Sequence, residues 1–144
     1  MNTKSSDVWR PIAYVALQDI VTRTRITSIL ERAGWIVLTQ PTGFHLLTQI
    51  SDVIEDRAWL RPAMIVIDAH ARGCAGTTIA SGLRDLGIAI PIVLVATPDE
   101  TLPISSDDLV RITASATAES VVDELARRPW RIEPRSGPDR VLAS

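Results

Sequence analysis

Residues 64–76 limit the possible folds of this chain more than any other stretch of its sequence. Four apolar residues there lead directly into the carboxylate of Asp68, and a loop of small residues with Gly73 and Gly76 follows. Such a short apolar run, bounded by turn residues, predicts a strand that is buried on both faces, as in parallel sheets. Asp68 would then lie at the carboxyl end of that strand, where open α/β sheets bind their ligands.

The composition is that of an ordinary globular protein. The chain has 144 residues, of which 46% are hydrophobic and 22% are charged, and this fits one domain. A net charge of −2 gives no electrostatic attraction for nucleic acid or anionic membranes. Because Cys74 is the single cysteine, a disulfide framework is excluded. Without a spanning apolar stretch or a signal peptide, we expect a cytoplasmic protein with no nucleic-acid or membrane partner.

The chain divides into three parts. Residues 1–10 are polar and predict a flexible N-terminus, whereas residues 11–129 carry the periodic apolar pattern of a folded domain. Residues 130–144 are rich in Pro, Gly, Ser and charge, which predicts a tail or linker.

Strands and helices alternate within the predicted domain. Apolar runs predict strands at residues 12–17, 35–39, 64–68, 91–95 and 109–112. Helical periodicity fills the gaps, with Gly34 ending the first helix and Pro129 stopping the last one after Arg127 and Arg128. This alternation predicts right-handed βαβ units in an α/β, flavodoxin-like (βα)5 three-layer sandwich with the parallel sheet order 2-1-3-4-5.

Three stretches of sequence resemble a known family. They are residues 17–23 with 30–37, residues 64–68 with Gly73 and Gly76, and residues 83–84 with 90–95. In this order and spacing they resemble the receiver domain of bacterial response regulators, and the likeness covers most of residues 11–129. A receiver accepts a phosphoryl group from a histidine kinase on a carboxylate, with a magnesium ion neutralising the charge.

The resemblance implies an incomplete metal site. Asp68 takes the phosphoacceptor position, and His70 would supply a backbone carbonyl to the metal. The family's acidic pair falls on Leu17 and Gln18, and only the neighbouring Asp19 is acidic. A leucine cannot ligate a hard cation, and a neutral amide is a weaker ligand than a carboxylate.

The resemblance also implies degenerate switch positions. The family's switch hydroxyl falls on Ala96, with Thr97 one place along. Its lysine has no counterpart, because Lys4 is the only lysine in the chain. Arg111 lies in the predicted fifth strand, but an arginine does not replace a lysine in such a site.

The segment between the fourth and fifth strands departs from the family as well. Pro98 and Pro103 push the residues before them away from helical geometry, so the family's fourth helix is predicted to be short or missing. In receivers, that helix and the fifth strand relay the switch to partners. The chain therefore resembles a degenerate receiver, or pseudo-receiver.

Several other residues have an ordinary interpretation beside a functional one. His45 and His70 could be ligands or a phosphorelay histidine, but two histidines on separate elements favour ordinary roles. Cys74 has no second cysteine or base to activate it. The Gly73-x-x-Gly76 spacing lacks the further glycines and lysine of a phosphate loop. Asp107 and Asp108, next to a strand, favour a solvated turn over a metal site.

Three functional hypotheses follow. The first is a phosphorylation-independent signalling and interaction module without catalytic residues or cofactor, whose partner is a signalling protein such as a histidine kinase or an output protein, with a homodimer possible. The second is a working phosphoacceptor with weak autophosphorylating activity, in which Asp19 and Asp68 hold Mg²⁺ and Thr97 or Arg111 contacts the phosphate. The third, a small-molecule binder or enzyme on the same fold, has no sequence motif in its favour.

Overall fold

The computed structural model describes residues 10–56 and 61–128 of the chain. The predicted tail at residues 130–144 and all but the last residue of the predicted flexible N-terminus lie outside these ranges. The described part forms the sandwich that the sequence predicts.

Five strands and four helices make up this described part. The strands are β1 (Ile12–Ala16), β2 (Ile36–Thr39), β3 (Met64–Asp68), β4 (Ile92–Val95) and β5 (Val110–Thr113). The helices are α1 (Ile20–Arg32), α2 (Gly43–Asp56), α3 (Gly76–Asp85) and α4 (Ser115–Ala126). All strand pairs are parallel, and the sheet order β2-β1-β3-β4-β5 confirms the prediction.

Strand β3 lies at the centre of the sheet and is buried on both faces. Ile65 and Ile67 point into the core on the side of α2 and α3, whereas Met64 and Val66 point into the core on the side of α1 and α4. Each of these side chains is fully buried, and burial of such a side chain stabilises the fold by about 1.5–3 kcal/mol. The uninterrupted apolar run therefore reflects a strand with no solvent face, as predicted.

The ends of α1 and α4 are fixed by local interactions. Asp19 precedes α1 and accepts hydrogen bonds from the N–H and the hydroxyl of Thr22, at 2.9 and 2.6 Å. Gly34 follows α1 with φ of 93°, the left-handed conformation that the sequence predicts at this helix end. The buried indole of Trp35 donates to the carbonyl of Ala126 at 3.3 Å and so links β2 to the end of α4.

No helix forms between β4 and β5, where every residue of 96–109 is described. The prediction that the family's fourth helix is short or missing is therefore confirmed. Ile104 and Leu102 fill part of the space instead, packing against the core on the α2 and α3 side. Asp107 accepts the N–H groups of Leu109 and Val110, which lowers the pKa of its carboxyl below the usual value.

The loop that follows β3 lies in backbone contact with the start of α2. The N–H of Gly43 donates to the carbonyl of Arg72 at 2.8 Å. A Cβ atom at Gly43 would lie 1.9 Å from the carbonyl oxygen of Cys74, closer than any real contact. Residue 43 must therefore be a glycine for the loop to keep its position.

We expect Gly43→Ala to lower the free energy of unfolding by about 1–3 kcal/mol, the usual cost of forcing extra atoms into a packed site. Gly82→Ala is the matched control, because a Cβ there meets no atom within 4 Å and Gly82 lies inside α3. Alanine in a helix interior stabilises by about 0.5–1 kcal/mol relative to glycine. Urea unfolding of both variants checks this, and equal stability of the two would contradict the proposed contact.

Candidate functional site

A cleft of about 700 Å³ opens at the carboxyl ends of β3 and β4, beside the start of α4. This is the edge of the sheet at which the sequence places Asp68. The residues that line the cleft are Gln18, Asp68, His70, Arg72, Val95, Ala96, Thr97, Pro98, Glu100, Ala114, Ser115 and Ala116.

Asp68 is the last residue of β3 and lies half-buried in the cleft. Its Oδ2 atom accepts a hydrogen bond from the backbone N–H of Gln18 at 2.7 Å. Burial raises the pKa of the Asp68 carboxyl above the usual value; the Gln18 bond opposes this shift, and the nearby charge of Asp19 adds to it. The protein therefore disfavours the charge of this carboxylate and gives it a donor from the backbone.

Leu17 and Gln18, on which the resemblance places the family's acidic pair, have structural roles in this chain. Leu17 is 3% exposed and packs in the core beneath α1 and α4. Gln18 contributes its backbone N–H to Asp68, and its side chain lines the cleft. Asp19 is exposed and caps α1 through Thr22, whose hydroxyl and N–H lower the pKa of the Asp19 carboxyl.

These residues do not fit the magnesium site that the resemblance implies. Mg²⁺ requires near-octahedral oxygen ligands and is bound through carboxylates with several waters. Within residues 10–56 and 61–128, no group of three or more His, Cys, Asp or Glu side chains is placed to hold a metal ion. Among the described residues, Asp68 supplies the carboxylate at the base of the cleft, and the carboxylate of neighbouring Asp19 is bonded to Thr22.

The switch positions are also engaged by the protein itself. Ala96 has no hydroxyl, and its N–H donates to the carbonyl of Thr113 at 2.9 Å. Thr97 does line the cleft, but its N–H and its hydroxyl both donate to Oε1 of Glu100, at 3.2 and 3.0 Å. The other carboxylate oxygen of Glu100 accepts a hydrogen bond from Nε2 of His70.

Arg111 does not reach the cleft. It lies two residues before the end of β5, and its guanidinium is 3.9 Å from the carboxylate of Glu124 on α4. The last residue of β5 is Thr113, whose hydroxyl lies 2.5 Å from that of Thr117 in the first turn of α4. The end of β5 is thus tied to α4 by two hydroxyl groups and carries no cation.

Of the predicted site residues, the structure brings Gln18, Asp68, His70, Ala96 and Thr97 together around one cleft. Asp19 lies near it, and Arg111 lies elsewhere among the described residues.

Sequence reasoning missed two charged residues of the cleft, Arg72 and Glu100. One signal could have found Glu100, because Thr97-x-x-Glu100 has the spacing of a capping box. The Glu100 carboxylate does bond to the N–H of Thr97 as in that motif, although Pro98 lies within the turn, Pro103 follows it, and no helix forms. Arg72, four residues after Asp68 in a loop, gave no pattern to detect.

Solved structures of receiver domains share this fold. The receiver domain of the Francisella response regulator 1452 is 21% identical, with a TM-score of 0.59 over 83% of this chain and 98% of that chain. The N-terminal domain of a response regulator/sensory box/GGDEF protein from Carboxydothermus hydrogenoformans is 20% identical, with a TM-score of 0.58 over 84% and 96%. The signal receiver domain of an HD domain-containing protein from Pseudomonas fluorescens is 14% identical, with a TM-score of 0.61 over 83% and 93%.

The likeness to receiver domains is therefore confirmed at the level of the fold. Neither a protein-family model nor a curated protein sequence matches the chain. In the part of the chain that the structure describes, no helix has the length and apolar character needed to cross a membrane.

We expect Asp68→Asn to unfold at the same or a higher temperature than the wild type at neutral pH. A raised folded-state pKa means that Asp68 contributes stability below its unfolded pKa and loses it as the pH rises through the folded pKa. Asparagine stays neutral over that range and can still accept the Gln18 N–H. The difference between variant and wild type should shrink as the pH falls and Asp68 becomes protonated.

Asp19→Asn is the control, because it should change the stability at neutral pH in the opposite direction. The pKa of Asp19 is lowered in the folded state, so its contribution is present above the unfolded pKa and is lost as the pH falls. This variant should lose stability at neutral pH and approach the wild type in acid. Thermal melts across the acidic to neutral range measure both variants. A marked loss of stability in Asp68→Asn at neutral pH would contradict the account of Asp68.

Proposed function

We propose that this chain is a receiver-type signalling module that acts by binding a protein partner and does not require phosphorylation of Asp68. One observation carries the proposal: the groups around Asp68 are bonded to one another in place of a metal and a phosphoryl group. Gln18 donates to Asp68, Asp19 caps α1, and Thr97 is held by Glu100.

The charge of the cleft supports the proposal. A phosphoryl group on Asp68 would bring its negative charge into a cleft that already contains the carboxylate of Glu100. Like charges at close range disfavour each other unless a cation neutralises them. The only lysine of the chain is Lys4, and Arg111 pairs with Glu124. The cations that line the cleft among the described residues are Arg72 and, when protonated, His70.

The proposed partner is a signalling protein of a bacterial two-component system, such as a histidine kinase or an output protein, in the cytoplasm. Ile20 and Val21 begin α1 next to Gln18 and are 64% and 56% exposed. Exposed apolar side chains beside a cleft are suited to protein contact. A homodimer is compatible with this role, and neither nucleic acid nor a membrane is proposed as a partner.

A working phosphoacceptor is the second candidate, and two observations favour it. The charge of Asp19 contributes to the raised pKa of Asp68, and Thr97 lines the cleft. In this candidate Asp19 would leave Thr22 to share a magnesium ion with Asp68, and Thr97 would leave Glu100 to contact the phosphate.

Acetyl phosphate with Mg²⁺ separates the two candidates. We expect no aspartyl phosphate on the wild-type chain, because among the described residues Asp19 is bonded to Thr22 and Thr97 to Glu100, which leaves neither group to bind Mg²⁺ or the phosphoryl oxygens at Asp68. Intact-protein mass spectrometry measures the product, with a receiver domain known to accept phosphate from acetyl phosphate as the positive control. Stoichiometric labelling that Asp68→Asn abolishes would overturn the proposal and favour the second candidate.

A further inference from the structure

We propose that Glu100 is a positioning residue at the rim of the cleft: its carboxylate ties residues 97–101, here called the strap, to the loop that follows β3. This deepens the proposed function, on which it rests, because it makes the protein's own carboxylate the group that holds Thr97, which a phosphoryl group would otherwise contact.

The contacts of Glu100 span the cleft. On one side, Oε1 accepts the N–H and the hydroxyl of Thr97, at 3.2 and 3.0 Å. On the other side, Oε2 accepts from Nε2 of His70, which lies 30 residues earlier in the chain. The N–H of Glu100 donates to the carbonyl of Thr97 at 3.2 Å and closes the turn. Both oxygens of one side chain therefore join two loops that flank Asp68.

These contacts differ from those of an ordinary surface ion pair. The carboxylate side of the pair is largely shielded, since the side chain of Glu100 is 18% exposed although that of His70 is 66% exposed, whereas Asp107 in the Arg84–Asp107 pair is 50% exposed. Hydrogen bonds to an ionised acceptor are roughly twice as strong as neutral ones, and partial burial protects them from competition with water. Exposed ion pairs contribute little by comparison.

The position of residues 97–101 depends on Glu100, whereas the rest of the loop between β4 and β5 is anchored by other contacts. Residues after the strap are anchored independently, since Ile104 is buried in the core and Asp107 holds the N–H groups of Leu109 and Val110. Pro98 lies in the strap and Pro103 shortly after it, and both restrict the backbone conformations of this part of the loop. Few contacts are then needed to fix its position, and loss of Glu100 should release residues 97–101 alone.

The exchange rate of the Thr97 amide hydrogen, measured by NMR, tests the strap. Glu100→Ala should speed this exchange roughly tenfold or more, since the amide loses its acceptor and its loop opens more often. Asp99→Ala is the matched control, because it removes an exposed carboxylate from the same segment and no described contact of Thr97 involves it. Neither substitution is adjacent to Thr97, so the intrinsic exchange rate is the same in both variants.

His70→Ala should speed exchange at Thr97 as well, and the double variant with Glu100→Ala should exchange no faster than Glu100→Ala alone. His45→Ala is the control for histidine loss, since His45 bonds to Thr42 at the start of α2. The Val110 amide, held by Asp107, should keep its rate in all these variants.

Equal exchange rates of the Thr97 amide in Glu100→Ala and Asp99→Ala would overturn the proposal that Glu100 holds the strap. If Glu100→Ala also speeds the exchange of the Val110 amide, the substitution has destabilised the fold as a whole. The exchange of the Thr97 amide is then measured in Glu100→Gln, because glutamine keeps the shape of the side chain and removes its charge. Faster Thr97 exchange in that variant supports the strap, and a wild-type rate overturns it. Phosphate labelling of the wild type together with faster exchange in Glu100→Ala would refute the proposed function and leave the strap standing.

Discussion

The burial of β3 on both faces is the constraint on which the rest of the structure depends. Its four apolar residues divide the core into two halves, and β1 and β4 pair with it on either side. A strand without a solvent face requires helices above and below the sheet. It also fixes where the chain becomes polar again, which is at Asp68. The cleft lies at that point because the ends of neighbouring strands meet there.

The fold is that of receiver domains, but the chemistry at the end of β3 is different. In this chain a backbone N–H from Gln18 satisfies Asp68, a leucine occupies an acidic position, and a carboxylate from Glu100 holds the threonine beside the cleft. A phosphoryl group or metal ion would have to displace the two hydrogen-bonded contacts, those of Gln18 with Asp68 and of Glu100 with Thr97. These internal contacts are what supports the proposed module that is controlled by protein binding.

Sequence patterns predicted the fold well because they report burial directly. The alternation of apolar strand runs with helical segments led to the sheet order, and the two prolines after β4 led to the missing helix. Both depend on residue types and their order along the chain. The departures from the receiver pattern, namely the missing acidic pair, hydroxyl and lysine, could also be predicted from the sequence, because they follow from the residue types at the matching positions. The hydrogen bond between His70 and Glu100 could not be predicted from the sequence, because it joins loops 30 residues apart in the chain. The pairing of Arg111 with Glu124 depends likewise on which side of β5 faces α4.

The central claim is that Asp68 is satisfied by the protein and does not form a metal and phosphoryl site. The most direct test is a Mg²⁺ titration, with and without beryllofluoride, that follows the NMR signal of the Gln18 amide, since this group donates to Asp68. We predict no saturable shift of that signal under either condition. A saturable, magnesium-dependent shift at Gln18 that Asp68→Asn abolishes would contradict the account.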